Sequence, residues 1–246
     1  MNKEEKIMQL KDGLIVSCQA EPEKGSQLYE PRDISRMAKE VLKAGACAVR
    51  ICGIENIAQT RYLNPESIII GITKSQYADN RVLITESIDD ISRIFQAGAD
   101  IVSLDMTDRL RPNGMLSLEL YFTAKKLFQD KIFMADIATF EEANRAINIG
   151  HVDIVGTTLS GYTQNTEKKL KVHRWYEYEP DFDLLKKLTG RFNNTPIIAE
   201  GRIREPEQCY LAMKYGAWAV CIGSQATRPR MSTAWHLKAV KNGGYK

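Results

Sequence analysis

The sequence of 246 residues lacks the features of several protein classes. No apolar run approaches the roughly 20 residues that span a membrane, and the opening MNKEEKIMQLKDG is too charged for a signal peptide. A net charge of +3 gives no indication of a nucleic acid or membrane partner. The five cysteines form no CxxC motif, and this odd number of isolated cysteines indicates free thiols in a cytoplasmic protein.

Familiar catalytic motifs are also absent. The three histidines are scattered without HExxH or HxH spacing, no GxGxxG follows the first predicted strand, and there is no GxSxG. The sequence therefore predicts no metal, dinucleotide or serine-hydrolase site. Cys18 and Cys52 lie near strand ends, so a thiol nucleophile remains an alternative, although no histidine is near them in the sequence.

A repeated pattern indicates the fold. AGACAVRI, AGADIVSL, IGHVDIVG and YGAWAVCI each place a glycine after a helical pattern and before an apolar, β-branched run. Glycine suits the left-handed residue that ends a helix, and such a run is typical of a strand buried on both faces of a parallel sheet. These glycines, at 45, 98, 150 and 216, are spaced by 53, 52 and 66 residues, which is about the length of two βα units.

Four such pairs predict an α/β fold, a single (β/α)8 barrel over residues 1–246, with an open doubly wound sheet as the alternative. The predicted strands are Leu14–Ser17, Ala48–Cys52, Ile68–Ile72, Ile101–Asp105, Ile132–Asp136, Asp153–Gly156, Ile197–Glu200 and Ala219–Gly223. The predicted helices are Asp33–Lys43, Ile88–Gln96, Leu116–Phe128, Glu141–Ile149, Phe182–Leu188, Glu205–Lys214 and Ser232–Val240. Thr139 and Glu142 fit a capping box. Residues 1–12 form an N-terminal extension, and the basic, aromatic stretch 164–178 forms a long loop after the sixth strand.

The active site of such a barrel lies at the carboxyl ends of the strands. Polar residues at or just after those ends are Gln19, Arg50, Lys74, Asp105, Asp136, Thr157, Glu200, Arg202 and Ser224. Each taken alone also fits a solvated loop residue or a structural ion pair. Their convergence from separate segments onto one face favours a site.

The loops after the seventh and eighth strands predict a phosphate site. Gly201-Arg202 and Gly223-Ser224 occupy these loops, and a short turn containing Arg228 follows. Glycine lets backbone N–H groups approach an anion closely, and an arginine adds a charge-assisted contact. The alternative is that both glycines only form tight turns.

Lys74 and Glu200 are the candidates for proton transfer. A lysine after an apolar strand is an anion anchor, a Schiff-base nucleophile or a proton-transfer base, and Arg50 is a candidate for the nearby cation that tunes it. The third and seventh strands face each other in an eight-stranded barrel, so Lys74 and Glu200 would approach a bound molecule from opposite sides. Two proton carriers on opposite faces suit inversion at a carbon next to a carbonyl.

The sequence resembles the N-acylglucosamine-6-phosphate 2-epimerase family of bacterial sialic-acid catabolism from about Gly13 to Val240. The segments that carry the resemblance are GLIVSCQA, VRICGIENI, IGITK, DMTDRLRP, MADIAT, DIVGTTLSGYT, PIIAEGRI and IGSQATRP. The resemblance implies interconversion of N-acetylmannosamine 6-phosphate and N-acetylglucosamine 6-phosphate through proton transfer at C2 of the ring-opened sugar. It places the acid/base role on Lys74 and makes Glu200 its catalytic partner, for ring opening or for the second proton.

The resemblance also implies the ligand contacts. Gln19, Arg50 and Asp136 would contact the substrate, and the phosphate would bind Gly201, Arg202, Gly223, Ser224 and Arg228. The implied partner is a phosphorylated N-acetyl amino sugar, with no metal or nucleotide cofactor, and we expect a homodimer. Two departures are Cys52, where the family commonly has asparagine, and the length of the 164–178 loop. Alternative functions are another phosphosugar barrel enzyme or a phosphosugar-binding protein without activity.

Overall fold

The structure, a computed structural model, describes residues 1–20, 25–77, 82–166 and 179–241. Its strands are β1 (Gly13–Cys18), β2 (Ala48–Cys52), β3 (Ile68–Ile72), β4 (Lys74–Gln76), β5 (Val82–Ile84), β6 (Ile101–Asp105), β7 (Ile132–Asp136), β8 (Ile154–Gly156), β9 (Ile197–Glu200) and β10 (Ala219–Ile222). Its helices are α1 (Lys3–Gln9), α2 (Pro31–Lys43), α3 (Ile54–Leu63), α4 (Ile88–Gln96), α5 (Ser117–Leu127), α6 (Phe140–Asn148), α7 (Phe182–Arg191), α8 (Pro206–Lys214), α9 (Ser224–Thr227) and α10 (Pro229–Lys241).

Eight parallel strands close into a barrel in the order β1-β10-β9-β8-β7-β6-β3-β2. Strand β1 pairs with both β2 and β10, so the sheet has no open edge. The predicted (β/α)8 barrel is therefore confirmed, and the open-sheet alternative is wrong. The short strands β4 and β5 form a separate antiparallel hairpin that follows β3 and was not predicted.

The strands separate two apolar regions. Residues that face outward pack under the surrounding helices, whereas inward-facing residues such as Ile15, Ile70 and Ile132 fill the lower part of the barrel. Leu10, just after α1, is fully buried among these inward-facing residues, and the indole of Trp218 donates a hydrogen bond to the carbonyl of Ile7 at 3.1 Å. The interior is thus packed below, and its polar residues are at the upper end.

Three of the four glycines predicted to end helices adopt the left-handed conformation, and one does not. Gly45, Gly98 and Gly216 have positive φ angles of +106°, +100° and +87° after their helices. The prediction is wrong at Gly150, because His151 takes the left-handed conformation there, with φ of +53°. Gly150 is still required, since a Cβ at this position would lie 2.6 Å from the carbonyl oxygen of Ala146.

The predicted capping box is present at α6. The Thr139 side chain accepts from the Glu142 N–H at 3.2 Å, and the Glu142 carboxylate accepts from the Thr139 N–H at 2.9 Å. In the part of the chain that the structure describes, no helix has both the length and the apolar content to cross a bilayer. Residues 167–178 of the predicted long loop lie outside the described residues.

Candidate active site

The carboxyl ends of the strands surround a cavity of about 520 Å³. Nine of the ten predicted site residues line it: Gln19, Arg50, Lys74, Glu200, Gly201, Arg202, Gly223, Ser224 and Arg228. The tenth, Asp136, is fully buried and lies behind Arg50 without lining the cavity. Residues that are far apart in the sequence therefore meet in one place because the barrel closes.

An arginine and two carboxylates connect the walls of the cavity. Arg50, on β2, is 1% exposed, and its Nη2 donates to Asp136 Oδ2 at 2.6 Å. Its Nη1 donates to Asp136 Oδ1 at 3.1 Å and to Glu200 Oε2 at 3.0 Å. Thr158 Oγ1 donates to Asp136 Oδ1 at 2.6 Å. These bonds compensate charges that would otherwise be costly to bury.

Burial and the neighbouring charges shift the pKa values of this network. Burial opposes the charged form of Arg50, but Asp136 and Glu200 outweigh it, so the pKa of Arg50 is raised. Burial is the main cause that raises the pKa of Glu200; Arg50 opposes the shift, and the like charge of Asp136 reinforces it. A raised pKa suits a carboxyl group that exchanges a proton near neutral pH.

Lys74 lies at the rim of the cavity, where β3 gives way to the β4–β5 hairpin. Its side chain is exposed, and Nζ donates to Gln19 Oε1 at 2.6 Å. Gln19 Nε2 in turn donates to Ser17 Oγ at 2.6 Å. The hypothesis that Arg50 tunes this lysine stays a prediction; Arg50 itself is paired with the carboxylates of Asp136 and Glu200.

The barrel order places Lys74 and Glu200 on opposite walls. Three strands separate β3 from β9 in either direction around the closed sheet. Only Thr73 separates Lys74 from the upper end of β3, and Glu200 ends β9. Strands β3 and β9 therefore face each other, and the approach of Lys74 and Glu200 to a ligand from opposite sides stays a prediction.

The predicted phosphate residues cluster on the wall formed by β9 and β10. Gly201 has φ of +108°, which only glycine adopts without strain, and Gly223 precedes α9. Arg228 donates from Nε to the Gln19 carbonyl at 3.2 Å and from Nη1 to Ser224 Oγ at 3.4 Å. Arg202 lines the cavity while its guanidinium donates to the backbone carbonyls of Glu179 and Ser160.

Several other residues line the cavity and were not predicted from the sequence, among them Arg109, Arg204 and Trp235. Arg109 is paired with Asp105. The Cζ atom of Arg204 lies 4.7 Å from the ring centre of Trp235, and burial lowers the pKa of Arg204. Arg109 and Arg204 each follow the end of a strand within a few residues, so the rule that selected the other candidates applies to them too. Trp235 carries no such signal, because its position depends on how α10 packs. The described lining contains six cationic side chains and one carboxylate, which favours an anionic ligand.

Other candidates have structural roles or are poorly placed for chemistry. The Asp105 carboxylate binds Thr107 and Arg109, and Thr157 bonds with the backbone of Glu200. Burial raises the pKa of Cys18 to about 12, which makes its thiol a weak nucleophile. Cys52 packs against apolar neighbours and is not among the described residues that line the cavity.

A closed (β/α)8 barrel with a cationic cavity at the carboxyl ends of its strands defines a class, the barrel enzymes that act on small anionic substrates. The model of the NanE family, described as "Putative N-acetylmannosamine-6-phosphate epimerase", matches residues 34–242. This chain belongs to the NanE family.

Individual relatives agree with this assignment over almost the whole chain. The chain is 37% identical to a "Putative N-acetylmannosamine-6-phosphate 2-epimerase" of Caldanaerobacter subterraneus subsp. tengcongensis, over 97% of this chain and 95% of the relative. A protein of the same name from Escherichia coli O157:H7 is 39% identical over 93% and 92% of the two chains. The solved N-acetylmannosamine-6-phosphate 2-epimerase from Clostridium perfringens superposes with a TM-score of 0.83 at 32% identity, covering 94% of this chain and 95% of that one.

Proposed function

We propose that this chain is an N-acetylmannosamine-6-phosphate 2-epimerase, which forms N-acetylglucosamine 6-phosphate in sialic-acid catabolism. The observation that carries the proposal is one cavity that holds Lys74, a cluster of cations, and Glu200, which ends the opposite strand and whose side chain is 11% exposed. Epimerisation at C2 needs a proton removed from one face of the carbon and returned to the other. The cations suit the 6-phosphate.

The hydrogen on C2 becomes acidic when C1 is an open-chain aldehyde. We assign its removal to Lys74 in the neutral amine form, which gives an enediolate-type intermediate that is reprotonated on the other face. Gln19 holds Nζ of Lys74 at 2.6 Å and so fixes the approach of the base. Membership of the NanE family supports this assignment.

Glu200 is the second proton carrier in this proposal. Its raised pKa and its place opposite Lys74 suit proton transfer either at ring opening or on the far face of C2. Glu200→Gln distinguishes the two roles. A variant that exchanges the C2 hydrogen of one epimer without inverting it assigns the far face to Glu200, whereas loss of both exchange and inversion assigns ring opening.

The remaining residues bind the substrate. We assign the phosphate to a group that lies on the wall of β9 and β10, namely Gly201, Arg202, Gly223, Ser224 and Arg228. Gln19 and Arg50 contact the sugar, and Asp136 acts through the guanidinium of Arg50 that it holds. Charge-assisted bonds to phosphate provide the binding energy that orients C2 between Lys74 and Glu200.

The central test measures the reaction directly. The purified chain should convert N-acetylmannosamine 6-phosphate and exchange its C2 hydrogen with deuterated water. Lys74→Met should lower both rates by about 10²–10⁴-fold, the usual contribution of a general acid–base group. The matched control, Lys126→Met, removes another exposed lysine, on α5, and should leave both rates unchanged.

Two outcomes would contradict the proposal. Tight binding of the sugar phosphate by the unmodified chain without C2 exchange would indicate a binding protein without activity. A Lys74→Met variant that exchanges at the wild-type rate would remove Lys74 from the mechanism. A panel of pentose and other phosphosugars separates this reaction from those of other phosphosugar barrels.

We also infer a homodimer in the cytoplasm. Helix α10 buries none of its own residues, and Leu237 and Val240 on it are 50% and 75% exposed, so a second copy of the chain is the occupant that would cover them. Light scattering should give twice the mass of the chain, and a monomer at micromolar concentration would contradict the inference. The five cysteines form no disulfide with one another, as a reducing compartment permits.

A further inference from the structure

The backbone of Thr85 adopts a conformation that its side chain disfavours. Its φ is +49°, and a β-branched residue at positive φ is a genuine outlier. Thr85 is fully buried and comes directly after β5, at the open end of the hairpin that begins with Lys74. Such conformations persist only where the surrounding structure imposes them, and they cluster at functional sites.

Thr85 holds both backbone groups of Thr73, the residue directly before Lys74. The Thr85 N–H donates to the Thr73 carbonyl at 3.1 Å, and the Thr73 N–H donates to Thr85 Oγ1 at 3.3 Å. The hairpin register continues this contact, because Lys74 pairs with Ile84. One side-chain hydroxyl therefore replaces a backbone carbonyl as the acceptor at the point where the chain leaves β3.

We propose that Thr85 is a positioning residue for Lys74, and that its hydroxyl and left-handed backbone together fix where the lysine enters the cavity. The proposal rests on the proposed function. The Lys74 side chain is exposed, and the backbone at residues 73 and 74 sets the point from which it extends over the cavity. Gln19 then receives Nζ at 2.6 Å from across the rim.

The residue type supports this role. Glycine or asparagine would adopt a positive φ at lower cost, but glycine has no hydroxyl to accept the Thr73 N–H. Threonine at this position is strained, but its hydroxyl accepts the hydrogen bond from the Thr73 N–H, which glycine could not do. A displacement of about 1 Å in a reacting group lowers a rate by as much as about 100-fold, so a small shift at residue 73 is sufficient to affect catalysis.

The test compares Thr85→Val with Thr85→Ser in the full-length chain. Valine keeps the shape and the strain but removes the hydroxyl, whereas serine keeps the hydroxyl. We expect Thr85→Val to lower kcat for epimerisation about tenfold with KM within about twofold of wild type, and Thr85→Ser to restore kcat to within about twofold. The control is Thr60→Val, because Thr60 is equally buried and its hydroxyl has no partner among the described residues.

A purely structural role would lower the unfolding temperature of Thr85→Val and leave kcat at the Thr60→Val level, and this result would overturn the proposal. Equal kcat values for the valine and serine variants would also overturn it. If Thr85→Val does not fold, Thr85→Gly against Thr85→Ser makes the same comparison without the strain. If the wild-type chain shows no C2 exchange, the proposed function fails, whereas exchange by wild type with unchanged kcat in Thr85→Val refutes only the role of Thr85.

Discussion

Replacing Asp136 with asparagine removes one of the two negative charges that compensate Arg50. Both side chains are almost fully buried, at 0% and 1% exposure, so water does not screen the loss. Arg50 would keep Glu200 as its counter-charge at 3.0 Å, but the paired contact of 2.6 and 3.1 Å with the Asp136 carboxylate would become a contact with a neutral amide. Removing one partner of a buried ion pair costs about 3–5 kcal/mol.

That magnitude is large enough to measure in a simple unfolding experiment. For a domain of this size about 1 kcal/mol corresponds to roughly 2–4 °C, so Asp136→Asn should lower the unfolding midpoint by roughly 6–20 °C. The matched control is Asp183→Asn, whose carboxylate is 89% exposed and lies 3.8 Å from Lys186. Exposed pairs contribute about 1 kcal/mol or less. Equal midpoints for the two variants would refute the reasoning.

The same substitution should shift the pH dependence of catalysis. Asp136 raises the pKa of Glu200, so its removal lowers that pKa and Glu200 stays ionised at lower pH. In the direction of the reaction in which Glu200 accepts the C2 proton, its carboxylate form is required, so the wild-type rate in that direction should fall on acidification through a pKa above the ordinary glutamate value of about 4.3. The acid limb of Asp136→Asn should lie at lower pH than that of wild type, and a shift to higher pH would contradict the assignment.

Three further predictions concern the phosphate wall and one helix end. Arg228→Gln should raise KM for the sugar phosphate severalfold with little change in kcat, as loss of uniform binding does, and steady-state kinetics with an unchanged KM would contradict its role. Gly201→Ala should destabilise the fold by about 1–3 kcal/mol, because alanine is strained at φ of +108°; a wild-type unfolding midpoint would show that this backbone relaxes freely. Thr139→Ala should cost about 1 kcal/mol in urea unfolding through loss of the α6 cap, whereas Thr123→Ala on the exposed face of α5 should change stability by less than about 0.5 kcal/mol.

The barrel strands could be predicted because each is apolar on both faces. Ile68–Ile72 and Ile101–Asp105 match the observed strands to the residue, and helix Ile88–Gln96 does so as well. Helix Ile54–Leu63 was missed because its apolar residues do not form one stripe; its buried residues are Ile57 and Thr60. The β4–β5 hairpin was missed because three-residue strands are too short to show a period of two.

The site could be predicted as far as strand ends determine it. The fold rule placed Arg50, Lys74 and Glu200 on one face, and the cavity contains all three. The rule does not specify which polar groups bind each other. The ion pairs of Arg50 with Asp136 and Glu200 could therefore be identified only from the structure. The rule also does not predict Trp235, because this residue lies on α10, beyond the last strand end. Trp235 nevertheless lines the cavity.

The consecutive positive φ angles at Gly201 and Arg202 constrain attempts to evolve this barrel toward other sugars. A library randomised at residue 201 should return glycine almost exclusively, whatever substrate is used for selection, because +108° lies outside the range open to side chains. At residue 202, with φ of +62°, asparagine and glycine should be the common survivors. Diversity for new specificity is better introduced at positions such as Tyr162 and Arg204, which line the same cavity on unstrained backbone.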